Sequence, residues 1–378
     1  MSSTPSTLES SGPTGPRIGV LGAGQLGRML ALAGYPLGCE FLFVDPVAQS
    51  PAGLLAPQLV GAYDSELALE RLAACDVVTY EFESVLIEPV ERLAQRTPVF
   101  PPPLALRVAQ DRLHEKQCFR ELGIPTAAFA PVSSEADLRA ALEALGLPAV
   151  LKTRRFGYDG KGQFVLRKAS DAGLAWQTLG GASCILEAFV PFARELSVLG
   201  VRGREGQTAF YPLVENEHRD GILRLTWAPA TQLDAALTAQ AESYSARLLD
   251  HLGYVGVLAL ELFQVGSELF ANEMAPRVHN SGHFSIEGAV TSQFENHVRA
   301  ITGLPLGVTD VSKPCAMLNL VGAMPRPEAV LAIAGAKLHL YGKAPRPRRK
   351  VGHITLVAPD EEALKARVHA ASSLPGVL

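Results

Sequence analysis

Short apolar runs alternate with longer amphipathic segments in the N-terminal part of the chain. Arg17–Leu21 and Glu40–Asp45 are two such runs, and the helix-like stretch RMLALAGYPLG lies between them. Asp76–Tyr80 is a third run, with helical patterns on both sides. Strands that alternate with helices indicate a parallel sheet that is covered by helices on its faces. The sequence therefore predicts an α/β domain that begins at Arg17.

The pattern changes after the proline-rich segment PVFPPP at residues 98–103. One helix is predicted from about Leu104 to Leu122, because the sequence GIP that follows ends it. Farther along, paired strands separated by glycine-containing turns predict a central α+β domain, and short strands with a closing helix predict a small C-terminal domain. The predicted division is a disordered tail at 1–16, the α/β domain at 17–110, the central domain at 111–308 with a flap subdomain at about 124–190, and the C-terminal domain at 309–378.

Composition narrows the functional class. Apolar residues make up 48% of the chain, charged residues 19%, and the net charge is -4, which argues against a non-specific nucleic-acid binder. Five scattered cysteines without a C-x-x-C pair indicate neither a disulfide framework nor a zinc site. The chain has no apolar run of about 18 residues, and its first residues lack the pattern of a signal peptide. We expect a cytoplasmic protein without a membrane or nucleic-acid partner.

Gly22, Gly24 and Gly27 have the spacing G-x-G-x-x-G between a strand and a helix. Such glycines let the backbone approach a phosphate, and the helix N-terminus supplies free N–H groups. Asp45, at the end of the next strand, could bind a ribose hydroxyl. Three interpretations stay open at this point, namely a dinucleotide site, a site for another phosphate, and a purely structural turn.

Glu261 and Glu273 lie on two strands that are predicted to form a hairpin. A turn centred on Ser267 would place the two carboxylates opposite each other and on the same face. Like charges in such positions are destabilising, so a cation between them is expected, and Mg²⁺ is the usual choice. The alternatives are a solvent-facing pair without an ion and a pair that is neutralised by Arg277.

A second glycine-rich loop, RRFGYDGKG at residues 154–162, connects two predicted strands. Lys152 precedes the loop and Lys161 lies within it, so the loop could close on phosphates and exclude water; the alternative is an ordinary exposed hairpin tip. Glu187, in an apolar strand, could lie beside an adenine or could be a strand-end acid that faces water. Glu195 is a weaker candidate for ribose hydroxyls.

Several longer motifs follow one another in a recognisable order. The chain contains GAGQLGRM at 22–29, TYEFESV at 79–85, QDRLHEKQ at 110–117, GYDGKGQ at 157–163, NEMAPRVHNSGH at 272–283 and RKVGH at 349–353. In this order the lysine strand, the glycine loop and the glutamate hairpin resemble the ATP-grasp superfamily. Together the motifs resemble the N5-carboxyaminoimidazole ribonucleotide synthetase family over nearly the whole chain after residue 16.

The resemblance implies an ATP-grasp fold, and the substrates ATP, bicarbonate and 5-aminoimidazole ribonucleotide with Mg²⁺ in a homodimeric ligase. The residues implied for ATP are Arg112, Lys152, Gly157, Tyr158, Asp159, Gly160, Lys161, Gly162, Gln163, Glu187, Ala188, Phe189, Val190, Glu195, His218, Asn272 and Glu273. The residues implied for the other substrates are Gly24, Gln25, Leu26, Glu81, Tyr158, Arg277, Asn280, Ser281 and Lys350. The catalytic residues implied are Asp159, Arg277, His279 and Lys350, and the metal ligands implied are Glu261 and Glu273.

Within this family the expected reaction joins bicarbonate to the amine through carboxyphosphate. The guanidinium fork of Arg277 suits bicarbonate, and either Asp159 or His279 could accept the amine proton. The chain departs from the family at Ser84 and Met274, and many ATP-grasp relatives have a metal-binding Asn where this chain has Ala275. The alternatives are a formate-using transformylase, a nicotinamide-dependent dehydrogenase and a non-catalytic nucleotide-binding regulator.

Overall fold

The N-terminal strands form a parallel sheet, as predicted. In the computed structural model, which describes residues 15–157 and 160–377, the strand order of this sheet is β3-β2-β1-β4 and every pairing is parallel. The strands are β1 (Arg17–Leu21), β2 (Glu40–Asp45), β3 (Gln58–Val60) and β4 (Val77–Tyr80), and the helices are α1 (Gln25–Gly34), α2 (Glu66–Ala73) and α3 (Ile87–Ala94). Most of the predicted tail lies outside the described residues.

The predicted single helix after the proline-rich segment is wrong. Two helices occur, α4 (Pro103–Ala109) and α5 (Arg112–Glu121), with Asp111 between them in an extended conformation. The Asp111 carboxylate accepts a hydrogen bond from the N–H of Leu113 at 3.0 Å and so caps the second helix. It also accepts two hydrogen bonds from Arg154, at 2.8 Å and 2.6 Å. The helix therefore restarts where its N-terminus is tied to the second glycine-rich loop.

The flap segment forms its own antiparallel sheet. Its strand order is β5-β8-β6-β7, and helices pack on one face around Leu138 and Leu151. The elements are β5 (Phe129–Val132), α6 (Glu135–Leu145), β6 (Ala149–Thr153), β7 (Gln163–Leu166), α7 (Ala172–Thr178) and β8 (Cys184–Ala188).

The third sheet joins the rest of the central segment to the C-terminal segment. Its nine strands have the order β14-β13-β9-β11-β12-β15-β17-β16, and β10 pairs with β9 outside this path. The strands are β9 (Arg194–Arg202), β10 (Thr208–Phe210), β11 (Val214–Arg219), β12 (Ile222–Ala228), β13 (Gly256–Val265), β14 (Glu268–Ala275), β15 (Cys315–Val321), β16 (Ala336–Leu340) and β17 (Lys350–Val357). The helices around it are α8 (Ala235–His251), α9 (Ser285–Gly288), α10 (Gln293–Thr302), α11 (Pro327–Leu331) and α12 (Glu361–Ser372). The predicted domain boundaries stay predictions.

His297 on α10 connects the first and third sheets in the interior. Its Nδ1 accepts a hydrogen bond from the N–H of Val257 at 3.1 Å, so the proton of the neutral ring is on Nε2. That nitrogen lies 3.0 Å from Oγ1 of Thr79 on β4. Burial lowers the pKa of His297 to about 3. The N-terminal sheet is therefore docked through an imidazole that must stay neutral.

Among the described helices, none combines the length and the apolar character that crossing a membrane requires. All five cysteines are buried free thiols.

Candidate active site

The three sheets surround one cleft of about 1320 Å³. Most of the predicted site residues line it, although they come from distant parts of the chain. These residues are Gln25, Leu26, Glu81, Arg112, Lys152, Gly157, Gly160, Lys161, Gln163, Glu187, Ala188, Phe189, Val190, Glu195, His218, Glu261, Asn272, Glu273, Arg277, His279, Asn280 and Lys350. Gly24, Gly162 and Ser281 are not among the lining residues, and Tyr158 and Asp159 fall outside the described residues.

The first glycine loop already holds an internal anion. The N–H of Gly27 donates to Oε2 of Glu81 at 2.7 Å, and the N–H of Gly24 donates to Oε1 of the same carboxylate. Gly22 has a φ of +98°, and a Cβ there would lie 2.6 Å from Glu81 Cγ. Burial raises the pKa of Glu81, although the two N–H donors oppose that shift. The loop is thus shaped for a carboxylate of its own chain.

The carboxylate of Asp45 is likewise occupied by N–H groups of its own chain. It accepts hydrogen bonds from the N–H groups of Ala23 at 2.9 Å and Val47 at 2.8 Å. These bonds hold the ends of β1 and β2 together beside α1. The loop and Asp45 together favour the structural turn among the three interpretations of the glycine motif, and they count against a dinucleotide site.

The two hairpin glutamates face each other as predicted, but the turn differs from the predicted one. Val265 pairs with Glu268, so the turn contains only Gly266 and Ser267, and its centre is not Ser267. A β-bulge then shifts the register, and Glu261 pairs with Glu273. The extra residue is Asn272, and a bulge lets neighbouring side chains share one face. Asn272 and Glu273 therefore both reach the cleft.

The two glutamates differ in how their charges are offset. Burial disfavours ionisation of Glu273, but an ion pair with Arg112 at 2.7 Å outweighs it and lowers the pKa of Glu273 to about 2. Burial, followed by the charge of Glu273, raises the pKa of Glu261 to about 8. Arg277 pairs with Glu83 at 2.5 Å, so the expected alternative in which Arg277 neutralises the glutamate pair is wrong.

The donor set of the hairpin fits a hard cation. It consists of two carboxylates and the side-chain oxygen of Asn272, which is buried without a hydrogen-bond partner among the described residues. The described part of the chain contains no cluster of three or more His, Cys, Asp or Glu side chains that could hold a metal. Mg²⁺ requires no such cluster, because it usually takes one or two carboxylates and fills its other positions with phosphate oxygens and water.

Glu187 also lines the cleft and is surrounded by cationic side chains. Its Oε2 lies 2.9 Å from Nζ of Lys152 and 3.4 Å from Nζ of Lys116. Burial would raise the pKa of Glu187, but the two lysines outweigh it and lower that pKa to about 2. The side chain is only 4% exposed, so the alternative of a water-facing strand-end acid is wrong. Its Oε1 is buried and accepts no hydrogen bond from the described residues.

His218 and Glu195 lie side by side on neighbouring strands. The Nδ1 atom of His218 is 3.1 Å from Oε2 of Glu195. Burial lowers the pKa of His218, but the bond and charge of Glu195 outweigh it, so the pKa is raised overall. Nearby, the rings of Phe192 and Phe263 stack with centroids 4.5 Å apart at the cleft wall. This part of the cleft combines polar groups with an aromatic surface.

His279 is held in one tautomer. Its Nδ1 accepts a hydrogen bond from the N–H of Ser281 at 3.3 Å, and its Nε2 lies 3.2 Å from Oε1 of Glu261. Burial, reinforced by the charge of Arg277, lowers the pKa of His279 well below its ordinary value. The neutral ring therefore points an N–H group at Glu261, and its other nitrogen already accepts a bond. That arrangement suits orientation better than proton acceptance.

Four residues of the site were missed by sequence reasoning. They are Glu83, Lys116, Arg154 and Lys343. A signal existed for Lys116, which is four residues after Arg112 and hence on the same face of one helix. Glu83 lies inside a motif that was already singled out. Lys343 bonds to Oε1 of Gln25 and lies in a segment without any periodic pattern, so nothing in the sequence distinguished it.

Three family models match successive parts of the chain. They are a ribonucleotide synthetase preATP-grasp domain at residues 16–110, an ATP-grasp domain at 117–294, and a phosphoribosylaminoimidazole carboxylase C-terminal domain at 315–367. Their order agrees with the predicted ATP-grasp fold.

Relatives of known name match over almost the full length. N5-carboxyaminoimidazole ribonucleotide synthase of Pseudomonas aeruginosa is 54% identical over 353 residues, which are 93% of this chain and 97% of that protein. The Thermus thermophilus synthetase structure is 55% identical with a TM-score of 0.92, over 96% of this chain and 99% of that one. The Aspergillus clavatus synthase, solved with ADP and 5-aminoimidazole ribonucleotide, is 32% identical with a TM-score of 0.88, over 94% and 97% of the two chains.

Proposed function

The chain belongs to the N5-carboxyaminoimidazole ribonucleotide synthase family, and from this membership we propose how its cleft carries out the reaction. It is an ATP-binding ligase of purine biosynthesis that carboxylates 5-aminoimidazole ribonucleotide with bicarbonate. The products are N5-carboxyaminoimidazole ribonucleotide, ADP and phosphate. One observation carries the residue-level proposal, namely that the residues implied for ATP and those implied for the other substrates line one continuous cleft.

ATP lies between the flap sheet and the third sheet. Lys152, with its ammonium beside Glu187, and Arg112, with its guanidinium beside Glu273, supply positive charge for the phosphates at two separate points. The segment Glu187–Val190 borders the adenine, and Glu195 with His218 takes the ribose. The stacked pair of phenylalanines near this segment offers an apolar wall of the kind that a nucleobase needs.

Glu261 and Glu273 would hold Mg²⁺, and Asn272 would supply an additional oxygen. Two opposed carboxylates and an unpaired amide oxygen support this assignment. When bound, the ion neutralises phosphate charge and orients the triphosphate. Arg112, which pairs with Glu273, would keep that side chain in place for the ion.

In the first step an oxygen of bicarbonate attacks the γ-phosphorus of ATP. The new O–P bond gives carboxyphosphate, and the bond to ADP breaks with its electron pair on ADP. Arg277 holds bicarbonate, because a guanidinium fork matches a planar anion with two oxygens. Lys152 and Lys161 offset the charge that builds up on the transferred group.

In the second step the exocyclic amine attacks the carboxyl carbon and phosphate leaves. The amine must lose a proton, and two residues were predicted as candidates for the base. The tautomer of His279 favours an orienting role, because one ring nitrogen accepts from Ser281 and the other donates towards Glu261. Asp159 is thus the better candidate, and its role stays a prediction because it lies outside the described residues.

The ribonucleotide enters from the N-terminal side of the cleft. Gln25 and Leu26 start helix α1, and Glu81 follows β4 and accepts hydrogen bonds from the glycine loop beside them. Lys350 faces this region from the first position of β17 and binds the substrate phosphate. Asn280 completes the pocket. Ser281 is fully buried, so its role is to position His279.

The homodimer and the cytoplasmic location remain predictions. Sedimentation velocity of the purified chain checks the first, since a monomeric mass at all concentrations would contradict it.

The reaction is tested by ADP release with purified enzyme, bicarbonate and each candidate amine. We expect release that requires both bicarbonate and 5-aminoimidazole ribonucleotide, with the carboxylated product detected by mass spectrometry. Release that instead requires glycinamide ribonucleotide and formate would reject the assignment and favour the transformylase.

A further inference from the structure

An ion pair crosses the cleft between the first and third sheets. Glu83 follows β4, Arg277 follows β14, and Oε1 of Glu83 lies 2.5 Å from Nη2 of Arg277. The side chains are 29% and 17% exposed, and both line the cleft. The reaction as described above gives Glu83 no role, although its carboxylate touches the residue assigned to bicarbonate.

The guanidinium of Arg277 is only partly used. Nη1 donates to the carbonyl oxygen of Val278 at 2.9 Å, and Nη2 contacts Glu83. Nε is buried and has no hydrogen-bond partner among the described residues. A buried donor without an acceptor is unfavourable and often marks the place of a missing ligand. Arg277 therefore has one edge, formed by Nη2 and Nε, on which only one nitrogen is satisfied.

Glu83 can leave this position without disturbing its backbone. Its carbonyl oxygen accepts a hydrogen bond from Nε2 of Gln110 at 2.7 Å, and Gln110 also bonds to the carbonyl of Val85. The main chain of the segment is therefore fixed, whereas the side chain is partly exposed. Among the described residues, Arg277 is its only ion-pair partner.

A carboxylate and bicarbonate present the same chemistry to a guanidinium. Both are planar, carry one negative charge and can offer two oxygens to adjacent N–H groups. Glu83 makes contact through one oxygen, whereas a free anion placed on the same edge can satisfy both Nη2 and Nε. The replacement of Glu83 by bicarbonate therefore exchanges a single charged hydrogen bond for a pair.

We propose that Glu83 is the resident carboxylate of the bicarbonate site, which bicarbonate displaces from Arg277 when it binds. The inference rests on the proposed function, because it takes Arg277 as the bicarbonate ligand. Glu83 keeps Arg277 paired in the free enzyme and sets the apparent affinity for bicarbonate, since only the fraction of molecules with an open fork can bind. Glu83 thus determines how strongly bicarbonate binds at this site, and it takes no part in making or breaking bonds.

The test compares the Michaelis constant for bicarbonate in Glu83→Gln and Glu83→Ala with that of the wild type, in degassed buffer. We expect the constant to fall about threefold to tenfold, because the competing carboxylate is gone. The constants for ATP and the ribonucleotide stay within about twofold. An unchanged or raised constant for bicarbonate in both variants overturns the proposal, and a raised one would make Glu83 a permanent support of Arg277.

Glu88→Gln is the matched control. Glu88 is exposed, lines the same cleft a few residues along the chain, and its substitution removes the same charge. The Michaelis constant of Glu88→Gln for bicarbonate should stay within about twofold of the wild-type value. A fall equal to that of the Glu83 variants would show a general effect of cleft charge and would also reject the proposal. Thermal unfolding of each variant verifies that it is folded.

A third variant separates this inference from the proposed function. Arg277→Gln should raise the constant for bicarbonate strongly. If it does not, the assignment of bicarbonate to Arg277 fails and the inference fails with it. If Arg277→Gln raises the constant but the Glu83 variants do not lower it, the proposed function stands and only the displacement is wrong.

Discussion

At the scale of single residues, the negative charge of Glu261 is offset less than that of Glu273. Glu273, opposite to it, is paired with Arg112, whereas Glu261 contacts the neutral ring of His279. Two carboxylates that oppose each other across a hairpin destabilise it unless a cation intervenes. In the free protein this repulsion contributes to the raised pKa of Glu261, at the place where the reaction needs a divalent ion.

Glu261→Gln should have opposite effects on the free and the loaded protein. Without ligand, and above about pH 8 where Glu261 is ionised, its melting temperature is expected to stay equal or rise, because a like-charge contact is removed. The additional stabilisation that Mg²⁺ and ADP give the wild type should shrink, and kcat should fall on the order of 100-fold. Differential scanning fluorimetry with and without Mg²⁺-ADP measures the first two effects.

The control for this variant is Glu268→Gln, at the exposed end of the same hairpin. It should behave like the wild type in both states. A Glu261→Gln protein that keeps the full Mg²⁺-dependent stabilisation would contradict the metal assignment.

Lys350 gives a second test at this scale. Lys350→Ala should raise the Michaelis constant for 5-aminoimidazole ribonucleotide about tenfold or more, because a charged hydrogen bond to the phosphate is lost. The constant for ATP should hardly change. Lys337→Ala, at an exposed position on β16, is the control. The measurement is steady-state kinetics at varied concentrations of the ribonucleotide. An unchanged Michaelis constant for the ribonucleotide would show that Lys350 does not bind its phosphate.

At the scale of elements, one face of helix α5 holds the bulged strand of the hairpin. Arg112 bonds to Glu273 at 2.7 Å, and Oε1 of Glu115 accepts from the N–H of Met274 at 2.6 Å. Lys116 donates to the carbonyl of Ala271 at 3.2 Å and to Oγ1 of Thr126 at 2.9 Å. The spacing of these helix residues is that of one helical face. The helix thus fixes the backbone on both sides of Asn272.

Lys116→Met should disturb both the hairpin and Glu187. The side chain is 1% exposed, so its loss leaves buried acceptors unsatisfied at a cost of about 1–3 kcal/mol. We expect that loss in the free energy of unfolding in urea, together with a higher Michaelis constant for ATP. Lys365→Met, on the exposed side of α12, is the control. If the free energy of unfolding and the Michaelis constant for ATP of Lys116→Met both equal those of the wild type, α5 does not position the site.

The elements also show which parts of the fold can be predicted from sequence patterns. The parallel sheet, the flap and the facing glutamates follow from periodicity, because each depends on local alternation of apolar and polar residues. The break between α4 and α5 was missed, although Asp111 is a common helix N-cap residue, and the Arg154 side chain that also holds its carboxylate lies 43 positions away. The bulge at Asn272 was missed for a related reason, since contacts with α5 stabilise it. Pairing partners that are distant in sequence leave no local pattern.

At the scale of the whole molecule, the N-terminal sheet is joined to the rest through a buried imidazole. His297 donates to Thr79 and accepts from Val257, and burial holds its pKa at about 3 against an ordinary value of 6.5. Between these two values the unfolded chain binds more protons than the folded chain. The stability that depends on the neutral ring is therefore complete above pH 6.5 and is lost as the pH falls towards 3.

His297→Gln should remove the contribution of one titrating group from the pH dependence of the free energy of unfolding. In the wild type the free energy of unfolding should fall as the pH is lowered from about 6.5, and His297 should contribute up to about 1.4 kcal/mol per pH unit. The variant should be less stable at neutral pH and should show a shallower slope. Urea unfolding at several values from about pH 7 to about pH 5 gives both quantities. His369→Gln, on the exposed side of α12, should keep the wild-type slope.

The carboxylate of Glu81 beneath the first glycine loop has a consequence for how proteins are classified. Glycine spacing alone leaves a dinucleotide site open as one of three interpretations, yet the N–H group of Gly27, which could bind a diphosphate, already donates to an acid 54 positions further on. The carboxylate of Glu81 therefore takes the place that an anionic ligand would have in a dinucleotide site. The acid that matters is the one after β4, on the other side of β1 from the strand whose acid would bind a ribose, and its presence distinguishes this loop from one that is open to a diphosphate.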